Sequence, residues 1–467
     1  MFTRAPSSGR PDLVVVAHRL PVHRQDGETV TSPGGLVSAL SPVLSGRSAV
    51  WVGWPGPETL SKQQWGDGTW LHPVVLDERE REEHLHGFCN DTLWPLFHGA
   101  AHEPAFDHAC FESYRAVNER FAAAVAETVG EGGTVWVHDY QLLLVPAMVR
   151  ALRADVSIGL FLHIPFPPLE TFAHLPWRDE LTAGMLGADL VGFQREDHVS
   201  NFVAVAERFG DATVTGSGLR VGSRPVTAAA HPISIDVEAV SSIARASTDQ
   251  ARAMRSRLGN PRHLLLGVDR LDYTKGIVRR LEAFEAVLAE GLLDPEHTVL
   301  LQVAVPTREG VARYVQEREQ VERLVGRLNG RFAKIGRPVV HYVHQSLPFC
   351  ELVALYLAAD ALLVTSLGDG MNLVAKEFVA SRVDGRGALV LSEFAGAADE
   401  LREALLVNSY DVEALSRAIV AATVMPGWAA GARMRAMQAR LRVNDVHQWA
   451  RVFLDELANA RTAWCAA

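Results

Sequence analysis

Two cations and two carboxylates carry the most specific chemistry in this sequence. Arg270 and Lys275 lie in Gly267-Val268-Asp269-Arg270-Leu271-Asp272-Tyr273-Thr274-Lys275-Gly276, and Asp369 and Glu377 flank Gly370-Met371-Asn372-Leu373-Val374. A guanidinium binds phosphate oxygens as a planar fork and an ammonium binds them as a point charge. Carboxylates accept hydrogen bonds from sugar hydroxyls. A helix starting near Leu373 would add its unpaired N-terminal N–H groups to an anion. Together these groups describe a pocket for a sugar joined to phosphates. Each glycine turn alone also reads as an ordinary strand-to-helix connection. The pair makes a clamp, with the cations approaching a diphosphate from the side opposite the helix terminus.

Such residues need strands behind them. Leu264-Leu265-Leu266 precedes the first segment and Ala361-Leu362-Leu363-Val364-Thr365 the second. Continuous apolar runs of this kind are buried parallel strands, and ligands of open α/β sheets bind at the carboxyl ends of such strands. The second half of the chain cycles through strands near Leu264–Val268, Thr298–Ala304, Val339–Val343, Ala361–Thr365, Ala388–Leu391 and Leu405–Val407, with helices between them. That rhythm predicts an α/β fold with a doubly wound parallel sheet. The first half offers the same geometry. Leu13–Ala17 ends at His18 and Arg19, Thr134–His138 ends at Asp139, and the run from Gly159 ends at His163. Pro33-Gly34-Gly35-Leu36 supplies paired glycines before a helical pattern, as a close backbone approach to phosphate requires. Taken alone, Arg19 also reads as a surface ion pair, His163 as a structural histidine, and Trp51, Trp54 and the apolar stretch around Trp94 as core.

A chain of 467 residues is too long for one ordinary core. The break at His231–Asp236 predicts a domain boundary between residues 235 and 236. The net charge of -10 argues against nucleic acid as a partner. No run approaches a membrane span, and Met1–Pro11 is polar, so a cytoplasmic location is expected. Cys89, Cys110, Cys350 and Cys465 show no ligand spacing, which predicts reduced thiols and no zinc. No carboxylate cluster accompanies the diphosphate clamp, so neither a metal nor any other cofactor is expected. The oligomeric state stays open, a homo-oligomer included.

From Val14-Val15-Val16-Ala17-His18-Arg19-Leu20-Pro21-Val22 to Asn444-Asp445-Val446-His447-Gln448-Trp449 the chain resembles the trehalose-6-phosphate synthases, which are retaining glycosyltransferases. Trp51-Val52-Gly53-Trp54, Leu93-Trp94-Pro95-Leu96-Phe97-His98, His138-Asp139-Tyr140-Gln141 and Phe161-Leu162-His163-Ile164-Pro165-Phe166-Pro167 fall between those ends in the family's order. The resemblance implies a GT-B fold: two facing Rossmann-like, doubly wound parallel-sheet domains with a cleft between them. It makes the first an acceptor-binding domain, with a last helix at about 445–467 packing back on it, and the second a nucleotide-sugar-binding domain. It further implies transfer of glucose from a nucleoside diphosphate glucose to glucose 6-phosphate, giving α,α-trehalose 6-phosphate. Arg270 and Lys275 would serve the leaving diphosphate, while His163 and Asp369 would hold the transferred glucose. Gly34, Gly35, Asn372, Leu373 and Val374 would contact the donor, with Leu347 near the base and Glu377 on the ribose. Arg19 and Arg308 would bind the acceptor phosphate, with Trp94 and Asp139 about the acceptor sugar.

Three positions depart from the family pattern. His18 stands for an asparagine, His84-Leu85 for a tyrosine pair, and Gly368 for an arginine. Leu85 matters most, because the family's tyrosine donates to the acceptor phosphate and leucine has no donor. Losing a bond to a charged group costs about 1.5–3 kcal/mol unless His84 or His86 replaces it. A different phosphorylated polyol or cyclitol acceptor therefore remains the alternative. A catalytically idle sugar-nucleotide-binding regulator fits less well with an intact clamp. The base, uracil, guanine or adenine, is left open.

Overall fold

In the computed structural model, which describes residues 11–25, 28–32, 35–58, 60–66, 68–99, 103–215 and 218–465, the apolar run Leu13–Ala17 lies within strand β1 (Leu13–Arg19). None of its five residues is more than 9% exposed, as a strand covered on both faces requires. The chain divides into two compact units, Met1–Ile233 with Val446–Ala467, and Ser234–Asp445. In the first, β1 joins β2 (Ala49–Trp54), β3 (Thr69–Pro73), β4 (Thr134–His138), β5 (Ser157–Phe161), β6 (Leu190–Phe193) and β7 (Arg224–Ala230). These pair in parallel in the order β7-β6-β5-β4-β1-β2-β3. The order turns back between β1 and β4, and connections leaving to opposite edges open a crevice at that switch point. Arg19 ends β1 and Asp139 follows β4.

Short antiparallel strands extend both edges, Gln63–Trp65 beside β3, and Gly218–Val221 then Ala212–Thr215 beyond β7. The helix Val446–Cys465 packs on β5, β6 and β7. Its Phe453 stacks on Trp136 of β4 at 5.0 Å and 15°. A Cβ at Gly159 in β5 or Gly192 in β6 would come within 2.8 or 2.7 Å of the Phe453 ring, so the two glycines form the groove it fills. Two features have no sequence signal of their own. One is a hairpin, Val22–Gln25 with Glu28–Thr31, in what reads as a loop. The other is the helix Arg81–Leu93, a long stretch of wide π-type turns ending where Trp94 N–H donates to the Cys89 carbonyl.

The second unit holds β8 (His263–Arg270), β9 (Thr298–Val305), β10 (Val340–Val343), β11 (Ala361–Val364), β12 (Ala388–Ser392) and β13 (Leu405–Val407). All pair in parallel, in the order β10-β9-β8-β11-β12-β13, with the switch point between β8 and β11. Each strand expected in this half falls on an observed one. One core, including Leu265, Phe284, Leu300, Leu328, Leu363 and Val390, ties the sheet to its helices. Among the described residues no helix is long and apolar enough to cross a membrane.

Candidate active site

Strand β8 ends at Arg270, and the chain turns through Tyr273–Lys275 into the helix Ile277–Ala289. Gly276 makes that turn possible. Its φ is +62°, and a Cβ there would lie 2.1 Å from the Thr365 carbonyl oxygen just past β11. Thr365 Oγ1 donates to the carbonyls of Lys275 and Gly276 at 3.2 and 3.0 Å, and Leu367 N–H donates to the Thr274 carbonyl at 2.7 Å. The loops after β8 and β11 are thereby joined across the switch point. The joint brings Lys275 Nζ to 2.6 Å from Asp369 Oδ2, with the two side chains 10% and 13% exposed. The same oxygen accepts from Ser366 Oγ at 3.2 Å and Asn372 Nδ2 at 3.1 Å. Arg270 is exposed at the strand end.

Asn372, at φ 88°, caps the helix Leu373–Ser381 by accepting from Ala375 N–H at 3.0 Å. Leu373 and Val374 open that helix, where N–H groups lack intrahelical partners. Leu347 is half-buried in the loop after β10. Glu377, one turn into the helix, accepts from Tyr356 Oη at 3.0 Å. Burial lifts its carboxyl from 4.5 to about 7, against a smaller lowering by the tyrosine hydrogen bond. The folded chain then binds a proton that the unfolded chain releases between these values, so stability falls as pH rises through this window. Denaturation midpoints of the wild type should show that decline, and Glu377→Gln should reduce it.

Arg308, in a loop after β9 with φ 51°, donates to Tyr314 Oη and, at 3.4 Å, to Asp272 Oδ2. Tyr314 Oη donates to the same oxygen at 3.2 Å, and its ring lies under the guanidinium at 5.2 Å. Asp272 is fully buried and also accepts from Thr274 N–H and Oγ1 at 3.0 and 2.9 Å. Burial works to raise its pKa, but Arg308, then Arg270 and Lys275, more than offset this and hold it low. Three cations picked out in the sequence therefore bear on one buried carboxylate that was not. The Asp272-x-Thr274 turn pattern is its only sequence signal. Glu317 nearby is pushed up to about 7 by burial and then by Asp272.

In the first unit the Arg19 guanidinium lies over Trp54 at 5.2 Å, and Trp51 Nε1 donates to the Arg19 carbonyl at 3.1 Å. Gly35 begins the helix Gly35–Leu44, while Gly34 lies outside the described residues. Leu85 is 9% exposed in the helix Arg81–Leu93. His84 is fully buried, stacked on Tyr114 at 5.3 Å and 5.4 Å from the His18 ring. Burial holds the His84 imidazole down at about 3 and, with His84 beside it, keeps His18 well below its ordinary value. Burial corrects the expectation that His84 could replace the tyrosine's hydrogen bond to a phosphate, and leaves the half-exposed His86. Trp94 is buried with its ring 4.0 Å from His98 and 5.7 Å from Tyr140. Asp139, at φ 75°, accepts from His163 N–H at 3.1 Å, and His163 Nε2 lies 3.1 Å from His138 Nδ1.

Two Rossmann-type sheets, each with charged residues at its switch point and one with a lysine-carboxylate pair before a capped helix, define a glycosyltransferase of the GT-B class. The chain belongs to glycosyltransferase family 20, whose family model matches residues 11–459. It is similar to the trehalose-6-phosphate synthase of Mycolicibacterium vanbaalenii, with 50% identity over 475 residues and 97% of each chain covered. It is also similar to a UDP-forming α,α-trehalose-phosphate synthase of Burkholderia xenovorans solved in complex with glucose-6-phosphate, at 34% identity and a TM-score of 0.89, covering 96% of this chain and 100% of that one. An E. coli protein solved with UDP-2-fluoro glucose matches at 30% identity and a TM-score of 0.87, covering 95% of this chain and 98% of that one.

Proposed function

We propose that this chain moves glucose from a nucleoside diphosphate glucose to the anomeric hydroxyl of glucose 6-phosphate, forming α,α-trehalose 6-phosphate with retention. The observation that carries the reading is the Lys275–Asp369 pair at the switch point, beside Arg270 and the capped helix at Leu373. The names of the similar proteins point to the same donor and acceptor chemistry. In this reading the bond from glucose C1 to the β-phosphate oxygen breaks and the bond from C1 to the acceptor oxygen forms on the same face. The acceptor's proton passes to the departing phosphate, so no protein nucleophile is required. Arg270, Lys275 and the helix amides neutralise the diphosphate as its charge develops. Asp369 and His163 hold the glucose, Glu377 the ribose, and Gly34, Gly35, Asn372, Leu373 and Val374 the rest of the donor, with the backbone at Leu347 on the base. Arg19 and Arg308 bind the acceptor phosphate, and Trp94 and Asp139 the acceptor sugar. Residues 1–235 with the last helix form the acceptor domain, residues 236–444 the donor domain, and the enzyme works in the cytoplasm.

Nucleotide release with UDP-, GDP- and ADP-glucose, each with and without glucose 6-phosphate and with the product weighed by mass spectrometry, tests this. Acceptor-dependent release of a disaccharide phosphate is expected. Release only with another phosphorylated acceptor would replace the acceptor assignment, and binding without release would replace the enzymatic one. Leu85→Tyr should lower the KM for glucose 6-phosphate by roughly 10- to 100-fold, because it restores one donor to a charged group. An unchanged or raised KM would mean that the acceptor site has been rebuilt around leucine.

A further inference from the structure

The ring of His138 lies at the end of β4, wholly buried in an aromatic box. Trp136 is 4.7 Å away between ring centroids, Phe161 6.3 Å and Trp449 of the last helix 6.5 Å. One ring nitrogen, Nδ1, faces His163 Nε2 at 3.1 Å, and the other, Nε2, is buried with no partner among the described residues. Burial holds both imidazoles below their ordinary range, His163 at about 3, so both are neutral at physiological pH. A neutral imidazole carries one N–H and one lone pair, so across this contact one ring donates and the other accepts. Were His163 the donor, the proton of His138 would sit on Nε2, as a buried N–H without an acceptor. Native structures tolerate an orphaned donor less readily than an under-used acceptor. The proton of His138 therefore sits on Nδ1.

We propose that His138 is a positioning residue: its Nδ1–H donates to His163 Nε2 and fixes His163 as the Nδ1–H tautomer, so that the other nitrogen of the ring presents an N–H rather than a lone pair to a sugar oxygen. The sugar contact rests on the reading of His163 given above, whereas the tautomer does not. Asp139 secures the backbone of the same residue through His163 N–H at 3.1 Å. Trp449 packs against both imidazoles, at 6.5 Å from each, so the last helix closes the box that excludes water from the contact. A hydrogen-bonded partner on one nitrogen is the usual device by which a protein selects the tautomer at the other.

Nitrogen-15 NMR of the free full-length protein with labelled histidine tests this, the His163 resonances being assigned by their loss in His163→Gln. The expected result is a protonated Nδ1 and a pyridine-type Nε2 on His163. In His138→Phe the pattern should revert to Nε2–H, and the kcat/KM for the nucleotide sugar should fall about tenfold, the effect of one lost neutral hydrogen bond. His138→Asn, whose amide can donate from nearly the same place, should restore both. A protonated Nε2 on His163 in the wild type overturns the proposal, and should His138→Phe not fold, that spectrum alone decides. A purely structural His138 would lower the stability of the variant and leave the His163 pattern unchanged, which also overturns it. If the tautomer follows His138 as expected but His163→Ala turns over at the wild-type rate, the tautomer relay stands and the failure belongs to the sugar contact.

Discussion

Lys275→Ala is expected to lower turnover roughly 100- to 1,000-fold, the effect of removing one preorganised donor from a site of developing charge. The reason is the position of its ammonium, 2.6 Å from Asp369 and beside the capped helix terminus, where it is oriented before any substrate arrives. The same substitution strips the nearly buried Asp369 of its cation, which should cost about 3–5 kcal/mol of folding stability. The two effects can be separated. Lys275→Ala combined with Asp369→Ala leaves no unpaired buried charge, so it should regain much of the stability while turnover stays lost. Arg270→Ala removes an exposed cation and should lose turnover with a much smaller change in stability. Nucleotide release and urea denaturation read the two quantities, and wild-type turnover in either single variant would remove that cation from the reaction.

Gly276→Ala should damage both stability and turnover, although it touches no proposed ligand. A left-handed backbone costs a residue with a Cβ about 1–2 kcal/mol. Here the new atom would also meet the Thr365 carbonyl at 2.1 Å, and that strand end is already fastened to the turn by the Thr365 hydroxyl. Relief requires the loops after β8 and β11 to part, for a total on the order of 3 kcal/mol. Lys275 is the next residue, and a displacement of about 1 Å in a positioned group costs roughly 100-fold in rate. Gly385→Ala is the control, since Gly385 has φ +65° and open space around its Cβ position. It should show only the backbone cost, with turnover intact. Equal thermal midpoints for the two variants would mean that the joint between the loops yields freely.

The local order of this protein was legible because its causes are local. Short continuous apolar runs such as Leu264-Leu265-Leu266, bounded by turn residues, read as strands covered on both faces, and a glycine followed by a helical pattern marks where each strand hands over to its helix. That was enough to place Arg270, Lys275 and Asp369 at or just past carboxyl ends, and Glu377 on the helix that follows. Local pattern holds no information about which strands are neighbours, yet it is the reversal between β8 and β11 that sets Lys275 against Asp369, residues far apart in the chain. Charge misleads for the same reason. Arg280 carries a charge, yet on the helix Ile277–Ala289 it is wholly buried, with Nη1 at 2.6 Å from Asp269 and 2.7 Å from Gln302. His84 reads as a substitute ligand but is stacked within the core, and Asp272 reads only as a turn residue although three cations converge on it. The sequence by itself determined the strands of the second unit, their turns and the chemical types at the strand ends, since these follow from neighbouring residues, whereas the hairpin Val22–Gln25 with Glu28–Thr31 left no such signal. Only the tertiary structure decided which charges meet, which are desolvated and which imidazole nitrogen keeps its proton, because each depends on groups that the chain brings together from a distance.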